Sequence, residues 1–367
     1  MKHAPAHKSS ATGSHILRSR VTIKDLGQDL GLSITTISRA LNGYSDVGEA
    51  TRQRVFEAAE RLGYRPNRNA QRLVTRRTHN LAWVQSDNER KFVDPHFVEV
   101  MAGILRGARI GGYDLVMASE MPEEQNSVYD RYIKDNSVDG FIIDLPRKND
   151  PRISFLLEAG HPFVVHGREG REDRYGWVDI DNFGNFYRLT RLMIANGRRR
   201  FAFVNGDEHF TFALERHNGV LAALRDLGLP ASTVRVLNAT HPMGDAGFQL
   251  TAQALDDPSV SAILYSSTLM AAEGYSAVVR SGRRIGKDLA LASMDDELQY
   301  LDLTPFEGQF TYVRSSLRQA GIALVEDLIR QCESNSSPTG TIVPSTFHPA
   351  PGLDGTTFDL PIPDHRN

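Results

Sequence analysis

The sequence predicts a small helix-turn-helix head joined by a short basic linker to a two-lobed body of doubly wound α/β architecture. Three observations carry this. Residues 22–63 read as three short helices separated by tight turns. From Leu81 onward, short apolar strands alternate with amphipathic helices in two consecutive runs. Charge is also divided along the chain. Residues 1–80 hold 14 Lys and Arg against 6 Asp and Glu, so of the chain's 42 and 45 the remaining 287 residues hold 28 against 39. A basic head on an acidic body implies that the head meets a polyanion and the body does not.

Composition bounds the rest. At 367 residues and 40% hydrophobic, the chain can bury a large core and form two or three domains. Its one cysteine, Cys332, excludes an internal disulfide framework and suits a reducing compartment. No run of 18 or more apolar residues exists, so nothing is expected to span a membrane and a cytoplasmic location is expected. Residues 1–20, "MKHAPAHKSSATGSHILRSR", lack the apolar core of a secretory signal and read as a disordered basic arm.

The head, residues 21–66, begins at Thr22, which can cap a helix whose Ile23, Leu26 and Leu30 recur at helical spacing. Gly31-Leu32-Ser33 is a tight turn, with Gly31 suited to a left-handed helix end and Ser33 to the next N-cap. In "SITTISRALNG", Ile37 and Leu41 face inward and Asn42-Gly43 stops the helix. Ile34, Thr35, Ser38, Arg39 and Asn42 are left outside, although four β-branched residues in a row are poor helix formers. Short polar groups reach base edges, arginine forks onto guanine or phosphate, and isoleucine touches a thymine methyl, so this face suits a DNA groove. A third helix runs from about Glu49 to Leu62, with Val55, Ala58, Ala59 and Leu62 inward. The arrangement is a helix-turn-helix domain.

"VTIKDLGQDLGLSITTISRALNG" and "VGEATRQRVFEAAERLGYRPN" resemble the lactose/galactose-repressor (LacI/GalR) family of bacterial transcription factors, densely over about the first 60 residues after the arm. The resemblance implies that the second helix lies in the major groove, that Ile34 and Thr35 choose the operator, and that Ser38 and Arg39 contact base or phosphate. Thr22, Ser33, Asn42 and Asn67 complete the residues expected on DNA. Gly48, where the family usually has a serine cap, and Asp46, an acid near the DNA backbone, depart from the pattern. Residues 67–78 form the linker. About six residues, Asn69 to Val74, are too few for a free-standing helix. The resemblance implies a hinge helix that folds on operator DNA and drives Leu73 into the minor groove, with Arg72 and its basic neighbours on phosphates.

The body is expected to span 79–367. "LAWVQ", "YDLVMAS", "VDGFIID" and "PFVVHG" read as buried strands, with helices near 96–110, 123–135 and 151–159. "RRFAFVNG", "VRVLN", "SAILYSS" and "DLALASM" follow, with helices near 183–196, 210–227, 245–256 and 269–281. Two such arrays make two doubly wound lobes, with a ligand cleft at the strand carboxyl ends. The resemblance implies a periplasmic-binding-protein-like fold in which the chain crosses between lobes three times, near 181, 309 and 340. Lobe 1 is then about 79–181 and 310–340, and lobe 2 about 182–309 and 341–367.

Enzyme signals are scarce. "SGRRIGKD" lacks the glycine and the Ser or Thr of a phosphate loop, and no HExxH or GxSxG occurs. No catalytic residue, metal or cofactor is expected. Binding signals are better. The resemblance matches Phe97 to a ligand-facing aromatic, Arg216 to an arginine gripping hydroxyls or a carboxylate, and Asp295 to a ligand-binding acid. His166 and Arg168 follow a strand and are expected at the cleft mouth, and Ser267 stands where the family usually has an asparagine. Forks of Arg and Asp with an aromatic ring are the means of holding a sugar. The expected function is a homodimeric repressor of a palindromic operator, controlled by a small sugar and resembling regulators of α-glucoside operons. The alternative is a cytosolic sugar-binding or carbohydrate-modifying protein without operator-specific DNA binding. No leucine-heptad tail follows residue 340, which favours a dimer over a tetramer.

Overall fold

The structure, a computed structural model, describes residues 21–41, 43–64, 77–86, 91–306, 308–334, 336–356, 358–359 and 361–362. The arm at 1–20, Asn42, and the linker residues Asn67, Arg72 and Leu73 lie outside the described residues. The chain divides between Thr78 and His79 into two units.

The first unit contains α1 (Ile23–Leu30), α2 (Ile34–Leu41) and α3 (Glu49–Leu62). A reciprocal capping box opens α1: the Asp25 amide donates to Thr22 Oγ1 and the Thr22 amide donates to Asp25 Oδ2. Gly31 ends α1 at φ 65°, where only glycine avoids strain. Ser33 Oγ accepts from the Thr36 amide at 3.1 Å, which starts α2 despite its β-branched run. Gly48 supplies no side-chain cap to α3. Leu26, Ile37, Ala40, Val47, Val55, Ala58 and Ala59 close a core at the centre of the three helices, with Ile23, Leu30 and Leu41 at its margin.

The second unit is built on two six-stranded sheets. The first holds β1 (Asn80–Ser86), β2 (Asp114–Glu120), β3 (Gly140–Asp144), β4 (Phe163–His166), β5 (Gly176–Asp179) and β11 (Gly340–Ile342), in the order β11-β5-β4-β3-β1-β2. The second holds β6 (Phe201–Asn205), β7 (Val234–Asn238), β8 (Ala262–Tyr265), β9 (Ala290–Asp295), β10 (Thr311–Arg314) and β12 (Thr346–His348), in the order β12-β10-β9-β8-β6-β7. Every pairing is parallel except that of β10 with β12. β3 and β6 are buried at every position, because helices cover both faces. Those helices are α4 (Pro95–Gly111), α5 (Gln125–Lys134), α6 (Pro151–Ala159), α7 (Asn182–Ala195), α8 (Thr211–Asp226), α9 (Ala246–Leu255), α10 (Thr268–Arg280) and α11 (Leu317–Ser334).

Two lobe boundaries differ from the sequence expectation. β10 pairs in parallel with Ala292–Asp295, so the chain remains in the second lobe until Arg314, beyond the crossing expected near 309. β11 pairs with β5, which moves the last crossing from 340 to the stretch between Ile342 and Thr346. Helix α11, for which the alternating pattern made no provision, returns the chain to the first lobe and packs along α4.

That packing depends on glycine. A Cβ on Gly103 would collide with the Arg318 carbonyl, and one on Gly321 with the Val100 carbonyl, so the two backbones meet directly. Gly321→Ala is therefore expected to cost about 1–3 kcal/mol of stability, the usual cost of overpacking, and so to lower the denaturation midpoint with helix content retained. An unchanged midpoint in denaturant titration would mean that α4 and α11 separate freely.

Candidate functional sites: a recognition-helix surface and an inter-lobe cleft

On the head, α2 presents a polar ridge. Ile34 is 46% exposed, Thr35 and Arg39 are exposed, and Ser38 is half-buried. The hydroxyls of Thr22 and Ser33 are engaged in the helix caps described above, so both hold the ridge in shape. Arg39 is not loose. Its Nε donates to Asp46 Oδ1 at 3.1 Å, its Nη2 pairs with Asp46 Oδ2 at 2.5 Å, and its guanidinium lies 5.0 Å from the centre of the Tyr44 ring.

Within the second unit, a cavity of about 290 Å³ lies between the lobes. The carboxyl ends of strands from both sheets line it, as parallel α/β sheets require. From the first lobe come Ser86 at the end of β1, Asp144 at the end of β3, His166 at the end of β4 and Asp179 at the end of β5. Asp207, Thr240, Ser266, Ser267 and Asp296 follow β6, β7, β8 and β9 of the second. Trp83 stacks on Phe97 at 5.0 Å in the first lobe, and Phe210 on Phe212 at 6.4 Å in the second, so the cavity has aromatic walls on both sides.

Arg216 is 5% exposed. Its Nε donates to Asn182 Oδ1 at 2.8 Å, its Nη1 donates to the Ser266 carbonyl, and Phe186 and Phe212 flank it. Burial pushes this guanidinium below its ordinary value, with Asp296 and Asp179 opposing that. Burial likewise lowers His166, which leaves a neutral imidazole able to donate at one nitrogen and accept at the other. Ser267 caps α10 by accepting from the Met270 amide at 3.3 Å.

Among the described residues, contacts such as the following tie the lobes together. The Thr211 amide donates to the Pro146 carbonyl at 3.0 Å, and Arg147 lies 5.8 Å from the centre of the Phe210 ring. The Gln299 amide donates to Glu99 Oε1 at 3.0 Å. His96 reaches across as well, with Nδ1 2.9 Å from Asp94 Oδ1 on its own lobe and Nε2 3.5 Å from Asp296 Oδ2 on the other. Burial opposes the charge on His96, but the two carboxylates outweigh it and raise the imidazole to about 9. Leu145, in the loop beside these contacts, holds φ 46°, a left-handed conformation that costs a branched side chain of order 1–3 kcal/mol and is found at ligand clamps.

Phe97, His166, Arg216 and Ser267 line the cleft, and Asp295 and Arg168 do not. Asp295 faces away: its Oδ2 accepts from Arg314 Nε at 2.7 Å, and its neighbour Asp296 lines the cleft instead. Successive residues leaving a strand point to opposite sides, so a one-residue difference exchanges the two acids. Arg168 packs over Trp177 and donates to Asp179 Oδ2 at 2.8 Å, outside the wall, so that Asp179 is the group presented to the cleft. The sequence reading missed His96, Asp144 and Asp296. The available signal for Asp144 and Asp296 was position, since both stand at the carboxyl end of a strand, whereas His96 lies in the first turn of α4. Among the described residues no group of His, Cys, Asp and Glu could hold a metal ion, and no helix is long and apolar enough to cross a membrane.

A helix-turn-helix head followed by a two-lobed α/β unit with a ligand-sized cleft defines a ligand-responsive DNA-binding regulator. The chain belongs to the lacI family of bacterial regulatory proteins. Residues 22–67 match the description "Bacterial regulatory proteins, lacI family" and residues 79–348 match "Periplasmic binding proteins and sugar binding domain of LacI family". It is 39% identical over 311 residues to the HTH-type transcriptional regulator AglR of Rhizobium meliloti (strain 1021), covering 84% of this chain and 87% of that protein. The solved complex of the transcriptional regulator CelR with cellobiose is 26% identical, covers 90% of this chain and 98% of its own, and superposes with a TM-score of 0.64. The lac repressor dimer bound to operator and the anti-inducer ONPF shares the fold at 21% identity, with a TM-score of 0.73 over 89% of this chain and 97% of that one.

Proposed function

We propose that this protein is a cytoplasmic, homodimeric repressor of a carbohydrate operon, released or recruited by a neutral sugar of the α-glucoside or a related class. α2 docks in the major groove, where Ile34, Thr35, Ser38 and Arg39 read bases and phosphates and Thr22 and Ser33 keep the helix ends in place. Asn42, Asn67, Arg72 and Leu73 extend the contact, with Leu73 as the minor-groove wedge. Val98 and Leu105 are exposed on α4 with Met101 between them, an apolar stripe that supports pairing with a second copy and hence a palindromic operator.

The cleft carries the ligand assignment. Its aromatic walls suit the apolar faces of sugar rings, and Arg216, Asn182, His166 and Ser267 suit hydroxyl pairs. Asp94, Asp144, Asp150, Asp179, Asp207 and Asp296 outnumber Arg147, Arg152, Arg216 and the protonated His96 on its wall, so a phosphorylated or carboxylated sugar would meet an opposing field. Thermal shift against neutral mono- and disaccharides and their phosphates tests this. A ligand at a hundred times its dissociation constant adds about 2.7 kcal/mol, and a response confined to the phosphates would overturn the reading. For the head, exchanging Ile34 or Thr35 is expected to change the preferred sequence in a randomised half-site library while the protein stays folded. An unaltered preference in both variants would remove α2 from the groove.

A further inference from the structure

We infer that Asp46 is a positioning residue for operator specificity: it holds Arg39 in one orientation on the DNA-facing surface and exchanges overall affinity for discrimination. The inference rests on the proposal that α2 enters the major groove. An acid on that surface would by itself only repel phosphate. The geometry gives it a second effect. Asp46 grips Arg39 by two nearly parallel bonds, Nε to Oδ1 and Nη2 to Oδ2, so one edge of the guanidinium is occupied in a fork–fork pair. Tyr44 lies beneath the same guanidinium.

The clamp is mounted on fixed backbone. The Tyr44 amide donates to the Arg39 carbonyl at 3.1 Å, tying the loop to the end of α2. The Val47 side chain is buried in the head core. Arg52, on α3, donates from Nη2 to the carbonyls of Tyr44 and Val47, at 3.0 and 3.3 Å. The carboxylate therefore stands on a segment anchored to both flanking helices.

A free arginine samples many rotamers and reaches phosphates as readily as bases. Held along its Nε–Nη2 edge, Arg39 retains the end-on pair of Nη1 and Nη2 donors, which matches two acceptors on one base, as guanine O6 and N7 offer. The ordering is complete before DNA arrives. The same carboxylate stands near the phosphates and weakens attraction to every sequence alike, which is how specificity is raised by penalising the wrong partners.

Full-length Asp46→Ala and Asp46→Asn test this beside Arg39→Ala and the double variant, in half-site selections and in salt titrations on unrelated duplex DNA. An exposed ion pair contributes little to folding, so the variants should melt close to wild type. Asp46→Ala is expected to bind unrelated DNA several-fold more tightly and with a steeper salt dependence. At the base pair where Arg39→Ala relaxes the preference, it should lose roughly three- to tenfold of discrimination, with the positions read by Ile34 and Thr35 unchanged. Asp46→Asn, which can hold one donor, should fall between. In the Arg39→Ala background the loss of Asp46 should leave base preference alone. Unchanged preference at every position in Asp46→Ala, or equal relaxation at all positions, overturns the positioning role. No effect of Arg39→Ala on any position instead removes the groove docking on which it rests.

Discussion

Arg216→Ala is expected to bind operator normally without ligand and to lose ten- to a hundredfold of sugar affinity. Losing one charged hydrogen-bond partner costs roughly 1.5–3 kcal/mol, which is that range. Arg216 suits this role because its Nε and Nη1 are held by Asn182 and the Ser266 carbonyl, and no hydrogen bond to Nη2 is found among the described residues. A ligand therefore meets a guanidinium already oriented, beside the chain's first lobe crossing. Because a ligand moves the lobes only through differential contacts, a group at this junction is placed to respond to one. Truncation also leaves Asn182 and the Ser266 carbonyl without a donor, so the melting temperature should fall. Arg216→Lys separates the two effects, since it keeps the charge and loses the planar fork. If the sugar is an inducer, Arg216→Ala should repress and fail to release. If it is a corepressor, the target genes should stay on. Reporter expression with and without the sugar decides, and a variant responding at the wild-type concentration would reduce Arg216 to a structural brace.

Raising the pH through about 9 is expected to release the His96 latch and to destabilise the closed cleft. The imidazole of His96 is raised from an ordinary 6.5 to about 9 by Asp296 and Asp94 against the opposing effect of burial. A group whose folded value lies above its unfolded one contributes stability that is fully present below pH 6.5 and is lost as pH rises through 9. For the whole set the shift corresponds to about 3 kcal/mol. Asp94 stays with His96 when the lobes part, since it also caps the same helix by accepting from the His96 amide. Opening forfeits the share due to Asp296 and relieves part of the burial that opposes it, so the effect on the closed population is smaller than the whole shift. Melting temperature followed from pH 7 to 10 should fall through this step in wild type, and the step should be missing from His96→Gln and reduced in Asp296→Asn. Identical profiles in all three would mean that the contact holds nothing.

Much of the fold was legible because its signals are local. Each helix of the head is set by residues within a few positions of it: Thr22 with Asp25, Ser33 with Thr36, and glycine at 31 and 63 in the left-handed region. The apolar runs of β1 to β4 and β6 to β9 announce parallel strands without reference to their partners, but the expected burial fails for β2 and is partial for β7, because both stand at a sheet edge. β10 and β11 are four and three residues long and carry no such run, and each is a strand only by its neighbours, Ala292–Asp295 and Trp177–Asp179. The head's helix-turn-helix form was legible for the same reason as its helices, since its caps and inward-facing positions are all local.

The cleft was legible only in part. Phe97, His166, Arg216 and Ser267 were readable as chemistry at strand and helix ends. Whether an acid after β9 meets ligand or Arg314 depends on which side of the backbone the opposite lobe lies, and no window of sequence contains that. Asp295 and Asp296 are the same residue type and adjacent. The pairing of β10 beside β9 brings Arg314 to the first, and the fold of the opposite lobe brings His96 to the second. Sequence by itself determined the elements, the division of charge and the recognition ridge, because capping, periodicity and composition act over a few residues. Tertiary structure alone decided which polar groups share the cleft, because partners such as His96 and Asp296 or Pro146 and Thr211 are far apart in the chain and meet only when both lobes have folded.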